Sequence, residues 1–398
     1  MHPLRGVLIA VVAVSGAVGC AAGPTRGPAP TVGSRPALSC PDPCRWHSIA
    51  LPRVGVTTEI TGMVAVSRAD VWVAMRSGRG WTDPQPGPDE SWTTPPEHDV
   101  MLHWDGHHWH RVPLPALHDP ITNLTEQALD DVWGVSGVDG LVRWNGKRWR
   151  SVSVHRWRRH DPEIGRVAAL APDDAWLSAA GYTSQGSYAL VERWNGHRWT
   201  RMPTPTIPGR RTKLSAMTAA SSDDAWAFGA YATGDPLRVH TTSGIVTEHW
   251  DGNRWTIIPQ PVYHHTKRWF EMHDAIMLSH TDGWAVGRQG SPFKPVVLHW
   301  NGTRWTASHT SRCCELVAVA ARDAEDVWAV GYTSNGDGYQ ARVDQWNGHQ
   351  WQTVPTLTGG SNTTLEAIST LPTGEILVAG TTTNPSGTHY PVLLRFLP

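Results

Sequence analysis

The chain has 398 residues and a formal net charge of −1, so no overall field draws it to nucleic acid or an anionic membrane. Its 38 Gly and 31 Pro suit a fold with many turns, and 23 Trp stand against only 4 Phe. A helical bundle, a coiled coil and a polytopic membrane protein are excluded, because no stretch beyond the N-terminus is apolar enough to span a bilayer.

Residues 1–20 read MHPLRGVLIAVVAVSGAVGC, with Arg5 as a basic start and an apolar run over 6–19 that ends in small residues. This is a secretory signal rather than a membrane-spanning helix, being too short and followed by a polar, Pro-rich stretch. The run Ala17-Val18-Gly19-Cys20 resembles a bacterial lipobox, with Ala17 standing where Leu is usual. That resemblance implies a lipidated Cys20 as the mature N-terminus and a protein anchored at the cell membrane on its extracytoplasmic side. Ordinary cleavage near Ala21-Ala22 is the alternative. Residues 21–43, rich in Pro, Gly and Ser, read as a semi-extended tether.

From residue 44 to 398 the chain repeats itself, and we read this stretch as one domain. A turn and strand recur as ADVWVA at Trp72, DDVWGV at Trp133, DDAWLS at Trp176, DDAWAF at Trp226, TDGWAV at Trp284 and EDVWAV at Trp328. Each is followed by a second element such as HWDGHHW or RWNGKRW, whose leading Trp falls at 104, 144, 194, 250, 300 and 346. Spacings of roughly 40–56 residues are those of four-stranded propeller blades. In the sixth repeat the strands are expected at 316–322, 327–333, 340–346 and 351–355. The Asn-Gly or Asp-Gly centre suits a tight hairpin, and it places the flanking Trp residues on one sheet face as a cross-strand pair.

A last repeat, TGEILVAGTTTNPSGTHYPVLLRFLP, has Leu377 in place of the second-strand Trp and stops before a fourth strand. The missing strand is supplied by RWHSIALP near the start of the chain, which matches the W-x-x-(V/I/M)-P ending of the other repeats. An all-β, seven-bladed β-propeller is therefore predicted, its last blade closed by residues 45–53, since an open array would leave a bare sheet edge. The D-V-W-A-V-G…W-N-G-x-x-W pattern resembles secreted seven-bladed propellers of the broad Kelch, galactose-oxidase-central-domain and sialidase-like type. Trp-rich versions of these occur in actinobacterial lipoproteins. The resemblance implies an architecture and leaves the activity open.

All but four of the Trp sit at repeat positions and read as packing between blades. An Asp two residues before each second-strand Trp is expected to close its turn by bonding its own backbone. Export implies an oxidising compartment, and the local pairs Cys40–Cys44 and Cys313–Cys314 are favoured over longer links across the ring.

The four remaining Trp fall in variable loops on one face, here the upper face: Trp81, Trp92, Trp157 and Trp269. Arg158, Arg159, Arg210, Arg211 and Arg268 crowd the same loops, with Tyr263 nearby. Indole faces stack on sugar rings and guanidinium groups grip carboxylates, so this face is the candidate ligand site. Counting thirteen residues back from the second-strand Trp reaches Glu59, Glu163, Glu271 and Glu315, with Lys213 in a fifth blade. These should ring the upper mouth of the channel, where carboxylates form either a solvated rim or a Ca²⁺ site. No other cofactor and no catalytic residue is assigned. The functional expectation is a monomeric binding module for a cell-envelope glycan, an anionic polymer or a protein, tethered through its lipid, with no nucleic-acid role. The alternative is a glycan-active hydrolase or lyase of sialidase-like type, which would need Tyr263, Glu271 and nearby Arg residues to converge.

Overall fold

The computed structural model describes residues 45–55, 57–78, 98–117, 119–128, 130–137, 140–154, 162–183, 186–233, 242–259, 268–310, 314–334, 338–356 and 362–397. These residues form seven antiparallel sheets of four strands each. Blades one to six span 58–112, 121–152, 163–202, 210–257, 270–307 and 315–353, and each meanders outward from an inner strand. Blade seven joins 363–396 to the N-terminal strand Trp46–Ser48, which pairs antiparallel with the last strand, His389–Phe396. The predicted closure is thus the observed one, and Trp46 stands opposite Phe396 as the Trp pairs do in other blades.

The sixth blade shows how the repeat works. Its strands are Glu315–Asp323, Asp326–Ser334, Tyr339–Trp346 and Trp351–Thr353, within one residue of the expectation at all but one boundary. Trp346 pairs with Trp351 across a four-residue turn. There the Asn347 side-chain oxygen accepts from His349 N and Gln350 N, and Gly348 takes φ +85°, a conformation costly for any residue with a Cβ.

Each second-strand Trp is fully buried against the paired Trp residues of the next blade. Trp72 lies 4.9 Å from Trp144 and 5.4 Å from Trp149, and Trp284 lies 5.1 Å from Trp346 and 5.3 Å from Trp351. Trp328 meets Phe396 at 5.0 Å and Trp46 at 6.5 Å, so the closing blade keeps the same contact. Such aromatic pairs contribute about 0.5–1.5 kcal/mol beyond the area they bury.

The conserved-looking Asp has another role than the one expected. Asp70 Oδ1 lies 2.7 Å from His103 Nε2, Asp282 Oδ1 2.8 Å from His299 Nε2, and Asp174 Oδ1 accepts from Arg193 Nε at 2.9 Å. The partner sits on the third strand directly opposite the Trp, and it lies flat on the indole: His103 on Trp72 at 4.1 Å, Arg193 over Trp176 at 4.8 Å. The carboxylate therefore fixes a ring or guanidinium as a lid on the buried Trp. Backbone capping falls to the Asp or Asn of the W-D/N-G turn instead.

Candidate functional site

Every inner strand carries a β-bulge at the same level. The register slips between Ile60 and Gly62, Ile121 and Asn123, Ile164 and Val167, Leu214 and Ala216, Met272 and Asp274, Leu316 and Ala318, and Leu365 and Ala367. A bulge adds a residue with no ladder partner and re-aims its side chain. Five of the added residues, Thr61, Thr122, His273, Val317 and Glu366, line a cavity of about 480 Å³ in the central channel. In blade three the added residue is Gly165, where a Cβ would come within 2.8 Å of the Ser215 backbone, so only glycine fits. The extra length there carries Arg166 into the channel.

The ring thirteen residues before each Trp is present. Glu59, Glu163, Lys213, Glu271 and Glu315 occupy equivalent register positions on their inner strands. Their charges are taken up locally. Glu163 accepts from Lys213 and Tyr182, and Glu271 from Arg288 at 2.6 Å. Glu315 accepts from Arg288 Nη1 at 2.7 Å and Tyr332 at 2.9 Å, and lies 3.2 Å from His273 Nε2. Glu59 lies 3.5 Å from His389 Nδ1. Burial pushes Glu163 and Glu315 up, but Lys213 and Tyr182 in one case and His273 and Arg288 in the other outweigh it, holding both below the usual carboxylate range. Burial, followed by the Glu partner, raises Tyr182 and Tyr332. Deeper in the channel, burial raises Glu366 as well. Carboxylates paired this way are poor calcium ligands, and among the described residues no three His, Cys, Asp or Glu are grouped to hold a metal.

The loop residues singled out in the sequence scatter. Trp81, Trp92, Trp157, Arg158, Arg159 and Tyr263 lie outside the described residues, as do Cys20, Cys40, Cys44 and Cys313. Cys314 is buried in the apolar cluster between blades five and six. Arg210 lies 4.3 Å over the Tyr231 ring and lines a separate cavity of about 380 Å³ with Tyr188 and Arg201. Arg211 reaches over Gly186. Arg268 Nη1 donates to Gln289 Oε1 at 3.5 Å.

Trp269 is different: it is 42% exposed and stands 4.9 Å from the Arg288 guanidinium, which grips Glu271 and Glu315. It therefore sits at the mouth of the channel. Arg166, Arg210 and Glu271 make separate contacts and do not converge on one another, since Arg166 reaches His273 and Asp274 instead. Sequence reasoning missed His273, Glu366, His389 and Tyr339, all of which line the main cavity.

No protein-family model and no curated protein matches the chain. Solved structures do. A structure described as YCF48 bound to D1 peptide superposes with a TM-score of 0.53 at 15% identity, covering 91% of this chain and all of that one. YCF48 from Cyanidioschyzon merolae gives 0.52 at 16% identity over 89% and 99%. An ulvan lyase, a polysaccharide lyase bound to -[GlcA(1-4)Rha3S]-, gives 0.54 at 10% identity over 85% and 94%. The likeness is one of fold.

Proposed function

We propose that the protein is a lipid-anchored, extracytoplasmic binding module that holds a glycan at the upper mouth of its central channel. One observation carries the reading. Among the described residues the exposed large hydrophobic side chains are Tyr182, Trp269 and Tyr339, at 40%, 42% and 42%; Tyr339 lines the channel cavity, and Tyr182 and Trp269 touch the charged ring through Glu163 and Arg288. Each is fixed from below by the ion-paired ring: Tyr182 on Glu163, Trp269 on Arg288, and Tyr339 at 5.0 Å from Tyr332, which donates to Glu315. Rigid aromatic faces around a polar cavity offer stacking for the apolar face of a sugar and hydrogen bonds for its hydroxyls. Solved propellers of this shape carry a peptide in one case and a saccharide in another, so both ligand classes fit such a frame. The described chain begins at Arg45, at the end of blade seven away from the mouth, which favours a mouth turned outward from a lipid anchor.

A glycan array followed by titration tests the reading. Trp269→Ala should weaken the selected glycan by about 1–3 kcal/mol, by analogy with aromatic stacking on nucleic-acid bases, without altering the melting temperature. An array with no positive glycan, or a Trp269→Ala variant that binds undiminished, would overturn it.

A further inference from the structure

Arg166 reaches across the channel from blade three to blade five. It leaves the bulge of blade three, where its backbone N donates to Ser178 Oγ at 3.1 Å, and passes blade four to reach blade five. There its Nε donates to the His273 carbonyl at 3.0 Å and lies 3.4 Å from Asp274 Oδ1. The residue lines the 480 Å³ cavity above and also a second cavity of about 160 Å³ below. The guanidinium thus stands between two chambers, and Tyr339 lines the upper one.

The groups facing this pocket are unequally satisfied. Its acids are spoken for: Glu59 by His389, Glu315 by Arg288, Tyr332 and His273, and Asp274 by Arg166 and the backbone N–H groups of Ala275 and Val319. Burial keeps Glu366 toward its protonated form, in which it donates rather than repels. Two residues have polar nitrogens to spare. Arg166 uses only Nε, and its two Nη nitrogens have no hydrogen-bond partner among the described residues. His389, 8% exposed, turns Nδ1 to Thr383 and Glu59, and its Nε2 has none either. The Arg166 guanidinium lines the cavity with N–H groups to spare, and a planar guanidinium fits a carboxylate with two parallel hydrogen bonds.

We propose that Arg166, with His389 beside it, anchors the carboxylate of a sugar acid that enters the upper chamber end-on. This inference rests on the glycan reading above and narrows it to saccharides bearing a uronic-acid unit. A volume of 480 Å³ lies within the roughly 300–1,000 Å³ of small-ligand sites, so the end of a chain is held rather than its length.

The experiment uses the full chain and two matched pairs of probes: cellobiouronate against cellobiose, and digalacturonate against its carboxyl-reduced counterpart. Isothermal titration should show at least one acid binding tenfold or more tighter than its neutral partner. Arg166→Met should bring the acid down to the affinity of the neutral sugar and leave the neutral sugar unchanged. Because Met leaves Asp274 without its cation, an Arg166→Met/Asp274→Asn double variant is measured alongside, with melting temperature as the folding control. Equal binding of acid and neutral sugar in the wild type overturns the carboxylate anchor and leaves the glycan site standing. So does a preference that survives in a folded Arg166 variant. Binding of none of the four probes overturns the anchor, and the array decides separately on the glycan site.

Discussion

Replacing Glu248 with Leu should make the protein more stable, increasingly so as pH rises. Glu248 lies on the third strand of blade four, Ser243–Trp250, and alternates with Val246 and Trp250 toward the apolar cluster shared with blade three. It is 0% exposed, and neither carboxylate oxygen has a hydrogen-bond partner among the described residues. Burial pushes its pKa up from 4.5 to about 8. In the unfolded chain the group ionises near 4.5, whereas in the folded protein it keeps its proton to about pH 8. The folded state therefore binds the extra proton between those values, and stability falls with rising pH across that window. Each pKa unit is worth about 1.4 kcal/mol, so ionisation of the unfolded chain costs the native state about 3 kcal/mol at pH 7 and about 4 kcal/mol by pH 8. Blade six shows the compensation that blade four lacks: Asp344, at the equivalent position, is met by Arg342 at 2.8 Å and by Thr310. Denaturant unfolding of wild type and Glu248→Leu at half-unit steps from pH 5 to 8.5 isolates the effect, because other titrating groups cancel in the difference. The variant's advantage should grow steadily over the range. A difference that stays constant with pH, or a variant uniformly less stable, would refute the account of an uncompensated buried acid.

Two further outcomes concern the ends of the chain. Trp46 is buried against Phe396 at 5.1 Å and donates Nε1 to the Pro355 carbonyl at 3.0 Å, so Trp46→Ala should cost about 3–5 kcal/mol, and deleting 45–53 should abolish cooperative unfolding. A deletion with an unchanged melting curve would mean that the N-terminal strand is dispensable. Cys20→Ala should move the protein from the membrane fraction to the soluble one, and wild type found already soluble would sink lipid anchoring.

The architecture was legible because one residue type marks it. A large, rare side chain recurs once per sheet, and its spacing counts the blades and exposes the strand missing from the last one. The Glu ring was legible for the same reason, since counting from the Trp keeps the register. The lining of the chamber was not. The bulge two residues further on is occupied by Thr61, Thr122, Gly165, Ser215, His273, Val317 and Glu366, with no common chemistry to announce it. The role of Asp70 and its counterparts was misjudged for a related reason. Turn preference is local, whereas the partner that decides their role lies on the adjacent strand, far along the sequence, and becomes visible only with the pairing in hand.

Six of the seven joints between blades are built on a Trp pressed into an aromatic pair, and the seventh is not. At that joint Leu377 of blade seven meets Trp104 and Trp109 of blade one, and the aromatic contact is absent. The joint lies next to, and not at, the three-residue strand that brings the two ends of the chain together inside blade seven. It also runs through the upper chamber, because Glu59 belongs to one bank and Thr381 and His389 to the other. Whatever occupies the chamber therefore touches both sides of the joint that lacks the aromatic contact, and binding there couples to the closure of the ring.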